Sequence, residues 1–181
     1  LPGARGGAAA AFIRDAPCGA LLVGAPLEAA VAVVVAADPV RPRAGAGDRP
    51  GTPAQAADLV AWLKTGAPAG QRVTLAGGVP TYWRTLSQDS KTDPAWAAVY
   101  RSYDVVNPWA VGRYADDKGA DDFKKNLLAP DIAECSKSGI EYMPVIFPGF
   151  SWHNLFPANP VNQIPRRGGA FYWRQAYNAI G

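Results

Sequence analysis

Pro144-Val-Ile-Phe-Pro-Gly-Phe-Ser-Trp-His-Asn154 reads as a strand that breaks and opens into a cluster of rings and amides. Val145, Ile146 and Phe147 are apolar enough to be covered on both faces, as the strands of a parallel sheet are. Pro148-Gly149 stops the run, and Phe150, Trp152, His153 and Asn154 follow just past its carboxyl end. That end of the strands is where α/β folds put their binding sites. Stacking rings beside hydrogen-bonding groups suit a sugar, which has apolar faces and a rim of hydroxyls. Pro144 inside the run removes one ladder hydrogen bond, so the start of this strand is left open.

Upstream, the same grammar repeats. Thr52-Pro53-Ala54-Gln55 offers an N-cap threonine, proline at the first helical position and glutamine at the third. Ala56, Leu59, Val60 and Leu63 follow at helical spacing until Gly66 and Pro68 stop the helix. Val73 to Ala76 reads as a strand entering Gly77-Gly78-Val79-Pro80-Thr81-Tyr82-Trp83-Arg84. Asp93-Pro94 starts a second helix, with Trp96, Val99, Tyr100 and Tyr103 on its buried side. Asp104 to Trp109 is the next strand, leading to Gly112-Arg113-Tyr114 and Asp116-Asp117. A third helix carries Phe123, Leu127, Leu128 and Ile132, with a kink expected at Pro130 and an end at Gly139. A last helix spans about Phe171 to Ile180. Strands beginning near 73, 104 and 140, each followed by a helix, give the βαβ rhythm of a parallel sheet.

Composition narrows the function classes. Nearly half of the 181 residues are hydrophobic, so most of the chain is expected to be globular. The net charge of +3 and pI near 9.0 come from scattered Lys and Arg residues, which argues against a nucleic-acid surface. Cys18 and Cys135 form no metal spacing, and with a single histidine no structural zinc site or other cofactor is expected. Leu21 to Ala37 is apolar but is interrupted by Pro26 and Glu28 and is too short for a membrane span. It also lies too far in for a signal peptide. Residues 1–47 are rich in Ala, Gly, Pro, Val and Arg and form an atypical leader of doubtful fold.

Several motifs recur together in order: Asp48-Arg49-Pro50-Gly51-Thr52-Pro53, Gly77 to Arg84, Asn107-Pro108-Trp109 with Gly112-Arg113-Tyr114, and Pro148 to Asn154. Ile164-Pro165-Arg166-Arg167-Gly168-Gly169 and Phe171-Tyr172-Trp173-Arg174-Gln175 complete the set. From about residue 48 to 181 the chain resembles bacterial proteins grouped with glycoside hydrolase families 71 and 99, relatives of endo-α-mannosidases and α-1,3-glucanases. The resemblance implies an α/β fold, a (β/α)8 TIM barrel, with a sugar-binding groove at the carboxyl ends of its strands. Such a barrel needs about 250 residues, so a partial barrel is expected, with about half of it recognisable. An oligosaccharide or polysaccharide is the implied partner, and the family context implies a secreted or periplasmic protein.

Two departures from the family pattern shape the expectation. Family members carry a further barrel strand before the Asp-Arg-Pro-Gly-Thr-Pro motif, whereas Val31 to Gly47 matches it poorly. A shifted reading frame or misassigned start is one explanation, and the upstream DNA in the other two frames tests it. Family members also carry a Glu-x-x-Glu motif in a later strand that supplies catalytic carboxylates, and the chain stops in the helix before it. The glutamates present, Glu28, Glu134 and Glu141, fall where a barrel does not present its chemistry.

Glycoside hydrolysis needs two carboxyl groups about 5 to 9.5 Å apart. Asp116 and Asp117 are the best local candidates, although a solvated loop or helix start explains them equally well. His153 and Asn154, with Trp152, are expected to line a groove, the histidine as a hydrogen-bonding group rather than a proton-transfer group. Tyr82, Trp83, Trp109 and Tyr114 also follow strand ends and suit stacking on sugar rings, with packing at the barrel top as the alternative. Arg84 and Arg113 suit contacts to hydroxyls or acidic loops. Trp62, Trp96 and Trp173 lie on helices and are expected in the core. The resemblance implies a hydrolase domain seen in part, acting on O-glycosidic bonds of α-linked glycans, with little or no hydrolysis expected of this polypeptide; a glycan-binding relative without the acids and an inactive product are the alternatives.

Overall fold

The structure, a computed structural model, describes residues 11–12, 20–23, 31–35 and 51–180. The chain divides into two compact units, Leu1–Asn107 and Pro108–Gly181. Contacts therefore do not divide at the compositional boundary near residue 47.

In the first unit, β1 (Ala11–Phe12), β2 (Ala20–Val23) and β3 (Val31–Val35) pair antiparallel in succession. Part of the leader read as doubtful is thus strand. β3 runs parallel to β4 (Thr74–Val79), with Val31 opposite Thr74 and Val35 opposite Gly78. Between them comes α1 (Pro53–Ala61), opened by the expected capping box: the Gln55 N–H donates to Thr52 Oγ1 at 3.2 Å, and the Thr52 N–H to Gln55 Oε1 at 2.9 Å. A parallel pair cannot be joined by a tight turn, so a helical crossover is the expected link. The helix closes through a π-helical turn, Trp62–Gly66, whose last N–H donor, Ala67, reaches back to the Trp62 carbonyl.

α2 (Ala95–Tyr100) begins where Asp93 Oδ1 accepts the Ala95 N–H at 2.9 Å. It buries Val99 and Tyr100, and Tyr103 follows them into the core. β5 (Val105–Pro108) lies next to β4 in the sheet. Asp104 locks the approach to it, because its carboxylate accepts the Leu75 N–H at 2.8 Å and pairs with Lys64 at 2.7 Å. Trp62 is 47% exposed, against the expectation of a core residue, and Trp96 is half-buried against Tyr100. Trp62 falls off the face set by Ala56, Leu59, Val60 and Leu63, of which Val60 and Leu63 are buried, so helical spacing turns its ring outward.

The second unit opens with α3 (Asp117–Phe123), passes through the π-helical Lys124–Leu128 and continues as α4 (Ala129–Ser138). Pro130 has no N–H to give the preceding turn. The widened turn just before it absorbs the defect, and the Ala129 N–H bonds back to Lys124. Gly139, at φ +65°, ends α4 as a left-handed cap. β6 is only Glu141–Tyr142, so the strand expected over Val145–Phe147 is absent. Pro144 explains the stop, since it cannot donate to a ladder. Phe147 finds its partner elsewhere: its N–H donates to Gln175 Oε1 at 3.0 Å and its carbonyl accepts from Gln175 Nε2 at 2.8 Å. A side-chain amide on α5 (Ala170–Ile180) thus replaces a neighbouring strand.

Phe147, Ile164 and Phe171 form the core of this unit, with Val111, Tyr114 and Phe150 packed on it. Three successive positive φ angles at Arg167, Gly168 and Gly169 turn the chain into α5, as expected of a shaping loop rather than an anion cradle. Trp173 is 60% exposed on α5, again outside the core expected for it. Among the described residues, no helix is long and apolar enough to cross a membrane.

Candidate functional site

Residues 150–164 form a closed loop whose neck is a two-residue antiparallel bridge. The Phe150 N–H donates to the Ile164 carbonyl at 3.1 Å and the Ile164 N–H returns a bond at 2.8 Å. Gly149 lets the strands come this close, since a Cβ there would stand 2.7 Å from the Ile164 carbonyl oxygen. Inside the loop, Ser151 Oγ donates to the Pro160 carbonyl at 2.6 Å and accepts the His153 N–H at 3.0 Å. Gln163 Oε1 accepts the Trp152 N–H at 3.1 Å, and the N–H groups of Leu155 and Phe156 both turn back to the Trp152 carbonyl. His153 Nδ1 lies 2.8 Å from the Asn159 carbonyl. The loop is therefore ordered by its own polar groups, as compact surface loops are.

These bonds hold a ladder of rings at the surface. Phe150 and Trp152 meet edge to face at 5.0 Å, and Trp152 and Phe156 at 6.0 Å. Trp152 is 45% exposed, and Leu155, Phe156 and Val161 are exposed beside it. Asn154 stands exposed at the tip and His153 is half-buried. No Asp, Glu, Lys or Arg occurs from Phe150 to Ile164, so the surface offers rings, amides and an imidazole without a fixed charge. Gly112 lies against this cluster, where an added Cβ would touch the Phe150 ring at 3.6 Å, which brings the Gly112-Arg113 turn to the base of the loop.

Other expected site residues take different places. Tyr82, Trp83 and Arg84 belong to the first unit and the rest to the second. Trp83 is 0% exposed with the Arg101 guanidinium 5.4 Å from its ring centre, so it is a core residue without a face for a ligand. Tyr82 is half-buried, and Asp89 accepts its backbone N–H at 3.1 Å and that of Thr81 at 3.0 Å. Arg84 is half-buried, and Trp109 and Arg113 are exposed. Tyr114 is a packing residue: its ring meets Phe123, Phe147 and Phe171, and its hydroxyl donates to Gln175 Oε1 at 2.9 Å. Burial raises its phenol above the usual range. Phe156, Ser151, Asn159 and Gln163 complete the loop without having been expected there. Ser and Asn are turn formers, and that was the available signal.

The acidic residues are committed elsewhere. Asp116 is the N-cap of α3 and accepts the Gly119 N–H at 2.7 Å, which favours the helix-start reading. Asp117 is exposed, with Arg167 at 3.7 Å. Asp121 receives Arg174 through both carboxylate oxygens and Asn178 at 2.9 Å. Those hydrogen bonds, Arg174 first and then Asn178, lower its pKa to about 2. A depressed folded pKa contributes stability that is complete above the unfolded value of about 4 and is lost as pH falls toward 2. Solvent screening keeps the contribution small. Asp121→Asn should accordingly flatten the acid limb of Tm against pH between about 4 and 2, and an unchanged limb would show the contact to be idle.

A cavity lined by Tyr114, Tyr142, Gln175 and Asn178 has room for one water and is too small for a sugar ring. Burial first, and then the nearby Asp131 carboxylate, raises the Tyr142 phenol. Among the described residues, no group of three or more His, Cys, Asp or Glu side chains is placed to hold a metal ion. The cavity is thus too small for a ligand larger than water, whereas the loop presents open surface. Compared with known proteins, the chain matches no family model, no curated protein and no solved structure.

Proposed function

We propose that this chain binds an α-linked oligosaccharide or polysaccharide on the loop of residues 150–164, as a glycan-binding member of the glycoside hydrolase 71/99-like group. One observation carries the reading: half-buried Phe150 and exposed Trp152 and Phe156 form a ladder of rings in one loop with His153 and Asn154, and the loop segment itself carries no fixed charge. Such a loop matches a ligand with apolar faces and many hydroxyls. The proposed architecture is a partial (β/α)8 barrel, which the parallel pairing of β3 and β4 across α1 supports. Hydrolysis is not part of the proposal for this polypeptide. Cleavage needs two carboxyl groups flanking one bond, whereas Asp104, Asp116 and Asp121 are spent on Lys64, a helix cap and Arg174.

Electrophoresis of the purified chain through gels containing α-mannan or α-1,3-glucan tests the reading. The chain should be retarded by at least one of them, and the same glycan should release no reducing sugar. Trp152→Ala should weaken binding about tenfold or more, ~1.4 kcal/mol, which is within the range of one good aromatic contact. The ring is exposed, so stability should hardly change. Unaltered retardation of the Trp152 variant would remove the loop from consideration, and rapid release of sugar would return the aspartates to it.

A further inference from the structure

The chain has one histidine, and the loop at the proposed site is built around it. Nδ1 of His153 faces the Asn159 carbonyl at 2.8 Å. A carbonyl oxygen only accepts, so the ring nitrogen facing it carries the proton. In a neutral imidazole the other nitrogen then carries none and keeps its lone pair in the ring plane. Among the described residues, Nε2 has no protein partner. No buried side-chain nitrogen or oxygen among the described residues lacks a partner, so Nε2 opens to solvent.

We infer that His153 is the hydrogen-bond acceptor of the site, held as the Nδ1–H tautomer by the Asn159 carbonyl so that Nε2 accepts a hydrogen bond from a ligand hydroxyl. The inference rests on the glycan reading and adds a rule of selectivity to it. Lysine and arginine only donate, whereas an unprotonated ring nitrogen requires a donor from the ligand. The hydroxyl at that position must be free. A sugar methylated or acylated there has no proton to give and leaves Nε2 desolvated without a partner, which costs affinity.

Two variants separate the roles of the two nitrogens. Asparagine places an amide nitrogen near the position of Nδ1 and nothing at Nε2. His153→Asn should therefore keep the bond to Asn159 and the melting temperature while losing about three- to tenfold in glycan affinity, the worth of one hydrogen bond. His153→Ala should lower both. The tautomer itself is read without any ligand. Because the chain has a single histidine, long-range proton–nitrogen correlation of the labelled protein gives one ring. In alkaline buffer, Nδ1 should show the protonated nitrogen shift and Nε2 the unprotonated one. Added α-mannan or α-glucan oligosaccharide should then move Nε2 and leave Nδ1 in place. An Nε2-protonated ring, an even mixture of tautomers, or a His153→Asn protein that binds as tightly as its parent overturns the inference. Failure of every glycan to retard the parent protein overturns the glycan reading and the acceptor role together, and the nitrogen spectrum distinguishes that failure from a wrong tautomer.

Discussion

Gln175→Leu should unfold the second unit at far lower temperature than any surface change. The Gln175 side chain is buried at 3% exposure, and its amide uses all of its hydrogen-bonding capacity. Its oxygen accepts from Phe147 N–H and the Tyr114 hydroxyl, and its nitrogen donates to the carbonyls of Phe147 and Phe171. Leucine fills similar space and leaves the Phe147 amide, the Phe147 carbonyl and the Tyr114 hydroxyl without this partner. Each buried group so stranded costs roughly 1–3 kcal/mol, so a loss of about 4 kcal/mol is expected after relaxation. For a unit of this size that is a fall of about 15–30 °C in Tm. Gln175→Glu separates shape from hydrogen bonding, because a carboxylate cannot donate to Phe147. Its stability should recover in part as acid protonates the side chain. A leucine variant within about 1 kcal/mol of the parent would mean that the strand-like bond to Phe147 contributes little.

Gly77→Ala is expected to be nearly as damaging in the first unit, for a steric reason. A Cβ at position 77 would stand 2.1 Å from Cδ2 of Tyr103, 2.4 Å from Cε2 and 2.5 Å from Cγ. The ring is buried and lies across the glycine, so it cannot yield by moving a flexible tip. Overpacking of this kind costs about 3 kcal/mol or more when neither side can move. Tyr103→Leu should soften the penalty, and the pair should be strongly non-additive in denaturant titrations of all four proteins. Simple additivity would place the damage of Gly77→Ala somewhere other than the ring.

Local rules in the sequence reached the helix starts and stops because caps act within a few residues. The Thr52–Gln55 capping box and the left-handed Gly139 were both legible for that reason. The strand at β4 was legible from its apolar run, although it extends to Val79 rather than Ala76. What was not legible depends on distant partners. Val145–Phe147 has strand composition, yet its ordering comes from an amide 28 residues away. Val31–Val35 has the β-branched residues of a strand, but its unusual surroundings hid that propensity. The loop rings were found because Trp152, His153 and Asn154 follow an apolar run. Trp83 and Tyr114 follow similar runs and are packed instead. Position after a strand says where a side chain begins, and only the packing around it says where the ring ends up.

The neck at Phe150 and Ile164 has a consequence for how such a protein can diverge. Each hydrogen bond described for residues 151–163 begins and ends within that segment, and the neck at its base joins the segment to the core. The segment is therefore a cassette. Closing a somewhat longer one across the same two residues costs only a fraction of a kcal/mol more, because closure entropy rises with the logarithm of length, about 0.6 kcal/mol per doubling. Lineages can exchange its contents, and with them ligand preference, while the Phe147–Gln175–Phe171 scaffold stays constant. Variation among relatives should then concentrate between the two neck residues and stop abruptly at Gly149, where only a hydrogen fits against the facing carbonyl.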